Sequence, residues 1–386
     1  MRERLERLEA YILSIIEERQ QGKRHLPIRI FLRGLSVIFA LLVQLRLWLF
    51  KHRIFRPHTL GCQVISIGNL TVGGTGKTPI VEIFARTLQK SGRKVAILSR
   101  GYKKDEAPLL TRIVDKLTFR ERVIPPRVVS DGERLLLDSA LSGDEPYMLA
   151  SNLKDVVVIV DKDRVKAGAW AINKFGCDTL ILDDGFQYLK LKHRLDIVLV
   201  DRTNPFGNWR MLPRGILREP VRNIKRAGFI FITKSNGDGA GELKQTLRKY
   251  NSEAEIVECR HSPKYLKNVY ANEEQPLEFL KDRNIAAISG IARPKGFEEV
   301  LTSLGAKVIY HKRYADHHRY TQQEVIDTIN RGIQRGAEII VTTEKDAVRF
   351  PWIERRDVPV YYLRVEIEML SGAEKFNEWI NRICFR

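Results

Sequence analysis

Two apolar, helix-like segments open the chain. Apolar residues recur every three or four positions among charged ones over residues 3–20, which predicts an amphipathic helix. Residues 26–50 are more apolar, but their longest uncharged stretch, 34–45, is shorter than the roughly 20 residues that cross a bilayer. The pattern therefore favours a helix that lies at a membrane surface, with flanking Arg and Lys side chains against anionic headgroups. Two alternatives are a secretory signal, which the sequence after the apolar stretch fits poorly because it offers no small-residue cleavage site, and a helix pair packed on the protein's own core.

Beyond residue 60, short apolar runs alternate with helical segments. Such runs of β-branched and aliphatic residues are typical of buried parallel strands. They occur at 64–67, 94–98, 156–160, 179–182, 196–201, 228–233 and 256–259, and again at 285–288, 307–310, 338–341 and 358–363. The alternation predicts an α/β protein with a mostly parallel sheet and a second, smaller α/β domain. The predicted divisions are membrane-interface helices at 1–58, the first α/β domain at 59–261, a connector at 262–283 and the smaller domain at 284–386.

A glycine-rich loop follows the first of these strands. It reads Gly68-Asn69-Leu70-Thr71-Val72-Gly73-Gly74-Thr75-Gly76-Lys77-Thr78-Pro79, and a helical pattern covers 80–90. Strand, glycine-rich loop and helix are the context of a phosphate-binding loop, so the first domain is predicted to be P-loop NTPase-like. Lys77 can reach the β- and γ-phosphates, and the Thr78 hydroxyl can bind Mg²⁺. The residues expected to hold the nucleotide are Thr71, Val72, Gly73, Gly74, Thr75, Gly76, Lys77 and Thr78.

Thr71 departs from the general phosphate-loop pattern, which has glycine five residues before the Gly-Lys pair. The alternative interpretation of the whole stretch is an ordinary glycine turn between a strand and a helix. The correct placement of Gly76, Lys77 and Thr78 favours nucleotide binding.

An acidic doublet ends the strand predicted at 179–182. Asp183-Asp184-Gly185-Phe186-Gln187 follows this apolar run. A carboxylate at such a strand end can hold Mg²⁺ or its water shell opposite a phosphate loop. A tight Asp-Gly turn would explain only one of the two carboxylates. Thr78, Asp183 and Asp184 are therefore the predicted metal ligands.

Three more positions could have a catalytic or binding role, and for each of them a role without function is the alternative. Arg100 follows a predicted strand and could touch phosphate or substrate, or be solvated. Asp144 either caps the next helix or accepts a proton from a hydroxyl nucleophile. Asp316-His317-His318 could be a solvated loop, although a histidine beside a carboxylate can act as a general base. If the two α/β domains face each other, His317 could meet Asp144.

The stretch 204–220 is a long, basic and aromatic loop, and loops of this length in compact domains are commonly functional. Its arginines could bind phosphate and its aromatic residues apolar surface; these residues are Arg210, Arg214, Arg218, Phe206 and Trp209. A mobile, solvated loop is the alternative.

The net charge limits the possible classes of binding partner, and the cysteine content indicates the cellular compartment. The formal net charge of +19 fits an anionic partner: nucleic acid, an acidic membrane or a phosphorylated substrate. No nucleic-acid-binding module is recognisable, so nucleic acid is not the expected partner. The four cysteines are scattered without a paired motif, which favours reduced thiols in the cytosol.

In combination, these motifs resemble the tetraacyldisaccharide 4'-kinase family, the lipid A 4'-kinases of Gram-negative bacteria. The resemblance covers about residues 60–350, in family order. Besides the glycine-rich loop and the acidic doublet, it rests on Ser99-Arg100-Gly101-Tyr102, Gly143-Asp144-Glu145-Pro146, Leu212-Pro213, Leu217-Arg218-Glu219-Pro220, Gly290-Ile291-Ala292-Arg293-Pro294, Asp316-His317-His318 and Thr342-Thr343-Glu344-Lys345-Asp346-Ala347. Tyr188 stands where a histidine is common in the family, and the segment 103–142 is longer than expected.

The resemblance implies an enzyme that uses ATP and Mg²⁺ to phosphorylate the 4'-hydroxyl of a tetraacylated glucosamine disaccharide 1-phosphate in lipid A biosynthesis. It places the catalytic aspartate on Asp144, its partner on His317, with His318 next in line, and Lys77 on the transferring phosphate. Substrate contacts are expected at Arg100, Asn204, Arg214 and Glu219. The expected partners are the anionic glycolipid and the cytoplasmic surface of the inner membrane, without an obligate protein partner. The main alternative is a membrane-attached regulatory P-loop NTPase.

Overall fold

The structure, a computed structural model, describes Tyr11 and residues 14–16, 22–101, 124–355 and 357–384 of the 386-residue chain. Most of the amphipathic helix predicted at 3–20 lies outside the described residues. So do Tyr102 and residues 103–123, which begin the segment that is longer than expected for the family.

The described residues form strands and helices that alternate along most of the chain. The strands are β1 Gln63–Asn69, β2 Val95–Ser99, β3 Arg127–Asp131, β4 Val156–Val160, β5 Thr179–Asp183, β6 Leu195–Asp201, β7 Phe229–Thr233, β8 Glu255–Asn268, β9 Glu274–Pro276, β10 Asn284–Ser289, β11 Lys307–Arg313, β12 Ile339–Thr343 and β13 Val360–Ser371. The α-helices are α1 Leu26–Lys51, α2 Lys77–Lys90, α3 Ser139–Ser142, α4 Asp144–Asn152, α5 Arg164–Phe175, α6 Gly241–Tyr250, α7 Pro294–Ser303, α8 Gln322–Gln334, α9 Glu344–Ala347 and α10 Ala373–Cys384.

The chain divides into two compact units, each built from separate stretches of sequence. Unit 1 combines Met1–Leu98, Asp163–Arg260 and Met369–Arg386, and unit 2 combines Ser99–Lys162 and His261–Glu368. These units divide the chain differently from the predicted domains. Residues 99–162 group with the C-terminal part of the chain, and the last helix groups with unit 1. A linear pattern of strands and helices does not reveal such returns of the chain.

Unit 1 contains the parallel strand order β8-β7-β6-β1-β5-β2. Residues of β1, β2, β5 and β7 are almost all buried, as expected for a parallel sheet covered on both faces. Because the strands are parallel, the carboxyl ends of β1, β5, β6 and β7 lie at one edge of the sheet. Open α/β sheets bind ligands at this edge.

Unit 2 contains a second parallel order, β11-β10-β12-β13. Helix α7 contributes Phe297 and Leu301 to one core of this sheet, and α8 contributes Val325 and Ile329 to another. The unit also contains an antiparallel pair, β3 with β4. The predicted class, a P-loop NTPase-like α/β protein with a second α/β part, is confirmed.

Helix α1 is a single 26-residue helix that is long and apolar enough to cross a membrane by length and composition alone. One side packs on unit 1, where the Ser36 hydroxyl donates a 2.8 Å hydrogen bond to the Met211 carbonyl. The other side is an exposed apolar stripe. Its exposed residues include Ile30, Phe31, Val37, Ile38, Leu41, Leu42, Leu45 and Trp48. An amphipathic helix of this kind is compatible with membrane association.

Candidate active site

The glycine-rich loop of unit 1 has the backbone shape of a phosphate cradle. Helix α2 begins at Lys77, three residues earlier than its apolar pattern predicts. Gly76 precedes it with φ 78° and Gly73 has φ 110°, conformations that favour glycine. A Cβ placed on Gly73 or Gly74 would meet no atom within 4 Å, so the loop leaves open space on that side. A phosphate group can approach such a backbone closely.

The departure at Thr71 has a structural reason. Thr71 forms an isolated antiparallel bridge with Leu217, and the Val72 N–H donates a 2.8 Å hydrogen bond to the Ile216 carbonyl. An extended bridge of this kind accommodates a β-branched residue as readily as glycine. The first half of the glycine-rich loop is therefore held by the 204–220 loop.

A lysine that sequence reasoning missed holds the second half of the loop. Lys234 follows β7, and its Nζ donates a 2.9 Å hydrogen bond to the Gly74 carbonyl and contacts Asp201 Oδ2 at 2.5 Å. The neighbouring Thr233 Oγ1 donates to the Thr75 carbonyl at 3.0 Å. Burial alone would raise the pKa of Asp201, but the hydrogen bonds from Lys234 and Thr203 and the charge of Lys234 together outweigh it and hold the pKa below its ordinary value.

The acidic doublet lies beside this loop. Asp183 is the buried last residue of β5, and Asp184 follows with φ 55°. Lys77 Nζ lies 3.6 Å from Asp184 Oδ1, and the Arg218 guanidinium lies 2.8 and 2.7 Å from the two Asp184 oxygens. Burial would raise the pKa of Asp184, but these two cations outweigh it and lower the pKa.

The residues present fit a nucleotide-bound Mg²⁺. Thr78, Asp183 and Asp184 offer the oxygen donors that this cation prefers. Asn69 Oδ1 is also buried at the end of β1 without a hydrogen-bond partner. No group of three or more His, Cys, Asp or Glu residues that could hold a metal occurs in the described part of the chain. A metal here would therefore depend on phosphate oxygens for most of its ligands, as is usual for Mg²⁺.

The predicted substrate contacts differ in what they touch. Glu219 is buried and accepts hydrogen bonds from Arg226, at 2.8 and 3.1 Å, and from Asn223. Arg214 is buried as well, and its guanidinium lies 3.4 Å from the Ile15 carbonyl. Asn204, also in unit 1, is exposed, as is Arg100 in unit 2. The side chains of Glu219 and Arg214 thus make internal contacts.

Unit 2 brings Asp144 and His317 together. Asp144 is the first residue of α4 and is only 8% exposed. Its Oδ2 lies 3.0 Å from His317 Nδ1, and no side chain caps this helix. The Asp144 carboxylate therefore does not cap the helix. Both residues belong to unit 2, so their contact forms within that unit, although the predicted boundaries put them in different domains.

The structure also separates the two adjacent histidines. His317 has φ 62°, faces Asp144 through Nδ1, and its Nε2 accepts a 3.5 Å contact from Lys345 Nζ. His318 Nε2 instead lies 3.1 Å from both Glu324 oxygens, and its ring stacks on Tyr314 with centroids 4.5 Å apart. His317 is thus the partner of Asp144.

Two further residues complete what we call the Asp144–His317 cluster: Asp144, His317, Asp346 and Arg349. Arg349 Nε lies 3.0 Å from Asp144 Oδ2, and Arg349 NH1 lies 3.3 Å from Asp346 Oδ1. Burial would raise the pKa of Asp144, but the His317 hydrogen bond and the Arg349 charge outweigh it and lower the pKa. Asp346 lies in helix α9, within a motif of the family resemblance, whereas no sequence signal points to Arg349.

Comparisons with known proteins identify a family. The sequence model of the family described as tetraacyldisaccharide-1-P 4'-kinase matches residues 28–384. A tetraacyldisaccharide 4'-kinase of Halothermothrix orenii is 35% identical over 97% of this chain and 98% of its own length. One of Anaeromyxobacter dehalogenans is 40% identical over 81% of this chain and 80% of its own length. The crystal structure of the "apo" form of LpxK from Aquifex aeolicus in complex with ATP has 29% identity and a TM-score of 0.72, over 93% of this chain and 100% of that one.

Proposed function

Since the chain belongs to the tetraacyldisaccharide-1-P 4'-kinase family, we propose that it transfers the γ-phosphoryl group of ATP to the 4'-hydroxyl of a tetraacylated glucosamine disaccharide 1-phosphate. The observation that carries the acceptor half of this proposal is the 3.0 Å contact between Asp144 Oδ2 and His317 Nδ1. A regulatory NTPase that only hydrolyses nucleotide does not need a buried carboxylate–imidazole pair. A kinase that deprotonates a sugar hydroxyl uses a general base, and such a pair can act as one.

Unit 1 supplies the nucleotide site. Residues Thr71 to Thr78 surround the phosphates with backbone N–H groups, and Lys77 neutralises charge on the transferring phosphoryl group. Thr78, with Asp183 or Asp184, would hold Mg²⁺, which when bound adds further positive charge at the phosphates. The open space at Gly73 and Gly74 supports close approach of the phosphates.

Unit 2 supplies the general base. The 4'-hydroxyl oxygen forms a new bond to the γ-phosphorus, the bond between the γ-phosphorus and the leaving oxygen of ADP breaks, and the hydroxyl proton passes to the Asp144–His317 pair. The Nδ1–H of His317 donates to Asp144, so the ring lone pair lies on Nε2, 3.5 Å from Lys345 Nζ, and Nε2 is the atom that accepts the proton. Phosphoryl transfer depends on positioning and charge neutralisation, and a base contributes as attack proceeds.

The N-terminal helix supports a lipid substrate at a membrane surface. The exposed apolar stripe of α1 can lie among acyl chains, and the net charge of +19 favours anionic headgroups and an anionic glycolipid. We therefore place the enzyme at the cytoplasmic face of the inner membrane, where ATP is available.

The proposal is tested by ATP turnover with and without the disaccharide lipid. Wild type should form phosphorylated lipid from labelled ATP only when the acceptor is present, and Asp144→Asn should lose about 10²-fold or more in kcat, the scale of general-base removal. Lipid omission and a matched lipid already phosphorylated at the 4' position serve as controls. Acceptor-independent hydrolysis that Asp144→Asn leaves unchanged would instead identify a regulatory NTPase.

A further inference from the structure

Arg349 is the most deeply buried cation beside the proposed base. Its side chain is 0% exposed, and its guanidinium lies between two carboxylates that are themselves buried, those of Asp144 and Asp346. A buried charge is costly unless partners of opposite charge and hydrogen bonds compensate it. Packing alone therefore does not explain why an arginine is buried at this position.

We propose that Arg349 is the positioning residue of the Asp144–His317 pair. It holds Asp144 as an ionised carboxylate with Oδ2 directed at His317 Nδ1, which places the histidine proton on Nδ1 and leaves Nε2 as the proton acceptor. The inference rests on the proposed kinase function, because it assigns a task within the same proton transfer.

The hydrogen bonds around Asp346 show why Arg349 serves Asp144. Asp346 already accepts hydrogen bonds from the Gly290 N–H at 3.0 Å, the Tyr320 hydroxyl at 2.9 Å and the Thr343 hydroxyl at 2.6 Å. These neutral donors compensate the Asp346 carboxylate, so it can serve as a fixed anchor for the guanidinium.

The surroundings of Asp144 are different. Besides Arg349, the groups that face its carboxylate are His317 and Arg319, and Arg319 lies 3.9 Å away with a side chain that is 45% exposed. Solvent screens an exposed cation much more than a buried one. Arg349 therefore contributes more than Arg319 to keeping Asp144 ionised.

Arg349 also holds the backbone of the histidine loop. Its NH1 donates to the His318 carbonyl at 3.1 Å and to the Gly290 carbonyl at 3.3 Å. The Gly290 carbonyl also accepts the His317 N–H at 3.1 Å. A Cβ on Gly290 would lie 2.8 Å from the Tyr320 hydroxyl, so the loop is closely packed. One guanidinium thus pairs with the Asp144 carboxylate as a close ion pair and holds, by hydrogen bonds from NH1, the backbone that carries its partner.

The chemistry of this site favours arginine over lysine. A planar guanidinium can contact two carboxylates and two carbonyls at fixed angles, whereas an ammonium is a point charge on a flexible stem. Substitution by lysine keeps the charge and loses the geometry, and substitution by methionine loses both. The two variants therefore separate the electrostatic effect from the positioning effect.

The first measurement needs no variant. In protein labelled with ¹⁵N-histidine, the His317 resonance, assigned by its loss in His317→Gln, should show a neutral ring protonated on Nδ1. The Nε2-protonated form in the wild type would overturn the proposal. This readout does not depend on turnover.

The second measurement is the pH profile of kcat with lipid acceptor. Arg349→Met should lower kcat about 10- to 100-fold. It should also move the acidic limb of the profile, the pH range in which kcat falls as the solution becomes more acidic, to higher pH, because Asp144 loses the cation that lowers its pKa. Asp316 and Lys345, which face His317, are unchanged. Arg349→Lys should restore the limb but recover only part of kcat, with KM for ATP unchanged.

Arg364→Lys is the matched control. Arg364 is also a buried arginine of unit 2, and it pairs with Glu344 at 2.8 and 2.9 Å. It should lower the unfolding temperature while kcat stays within about threefold and the acidic limb stays in place. If both Arg349 variants behave like this control, Arg349 is merely structural. If the wild type does not phosphorylate the lipid, the kinase proposal fails, and the tautomer of His317 in wild type and Arg349→Lys still decides the role of Arg349.

Discussion

The phosphate-loop region and the Asp144–His317 cluster are built from different kinds of chemical group. The phosphate-loop region, residues 68–78 with 183–187, relies on backbone N–H groups, glycine conformations and open space. The Asp144–His317 cluster relies on buried side chains, with Arg349 fully enclosed. The first is built mainly from one continuous stretch, and the second from residues that lie up to 205 positions apart, Asp144 and Arg349.

The contrast extends to glycines. Gly74 has no atom within 4 Å of an added Cβ, whereas a Cβ on Gly290 would lie 3.1 Å from both Asp346 Oδ1 and the Ala315 carbonyl. The glycine of the phosphate loop leaves room for a ligand, and the glycine beside the cluster leaves room for the protein's own atoms. The same residue type therefore marks a binding surface in one region and dense packing in the other.

Both regions contain an aspartate whose pKa is lowered against the effect of burial. Asp184 owes this to Lys77 and Arg218, and Asp144 to His317 and Arg349. The Asp184 side chain is 33% exposed, whereas Asp144 is nearly enclosed. We expect substitution of Asp144 to lower mainly kcat, and substitution of Asp184 to lower the stability of the fold.

The largest expected effect tests the phosphate-loop region. Lys77→Met should lower kcat about 10³-fold, because the variant loses a cation that stabilises charge on the transferring phosphoryl group. Labelled ATP with saturating lipid acceptor measures this. The His317 ¹⁵N resonance should keep its wild-type tautomer. A loss smaller than tenfold would show that Lys77 does not contact the transferring group.

The second prediction tests the cluster and compares adjacent histidines. His317→Ala should lower kcat about 10²-fold, since the general base is lost. His318→Ala should change kcat less than about threefold, because His318 contacts Glu324 and Tyr314 rather than Asp144. Steady-state rates of the two variants under identical conditions make the comparison. Equal losses would contradict the assignment of His317 as the partner of Asp144.

The smallest expected effect concerns stability in acid. Because the pKa of Asp184 is below its ordinary value of 3.8 in the folded protein, unfolding takes up a proton in acid. The contribution of the ionised group is complete above about pH 4 and is lost as the pH falls below it. Asp184→Asn should therefore be less stable than wild type by on the order of 1 kcal/mol at pH 7, a difference that shrinks in acid.

Thermal unfolding of wild type and Asp184→Asn between pH 3 and pH 7 provides this measurement. Asp178→Asn is a suitable control, since Asp178 is a partly exposed carboxylate of the same unit that pairs with Arg93. A difference that grows as the pH falls would have the wrong sign for a carboxylate with a lowered pKa.

The sequence predicted the α/β class, the phosphate loop and the acidic doublet because each depends on local patterns. It predicted the start of α2 three residues late, since Lys77, Thr78 and Pro79 are not part of an apolar stripe. It assigned residues 99–162 to the first domain, because consecutive strands usually lie in the same domain. Lys234 and Arg349 were missed, because single cations carry no periodic or motif signal.

By itself, the sequence determined those features whose cause is local: strand and helix periodicity, glycine conformations next to a lysine and a threonine, and an apolar N-terminal helix. Only the tertiary structure decided which histidine meets Asp144, which cation holds it, and that both residues belong to one unit. The reason is physical. A backbone cradle is specified by the dihedral angles of neighbouring residues, whereas a buried network of charges exists only after distant segments have folded together.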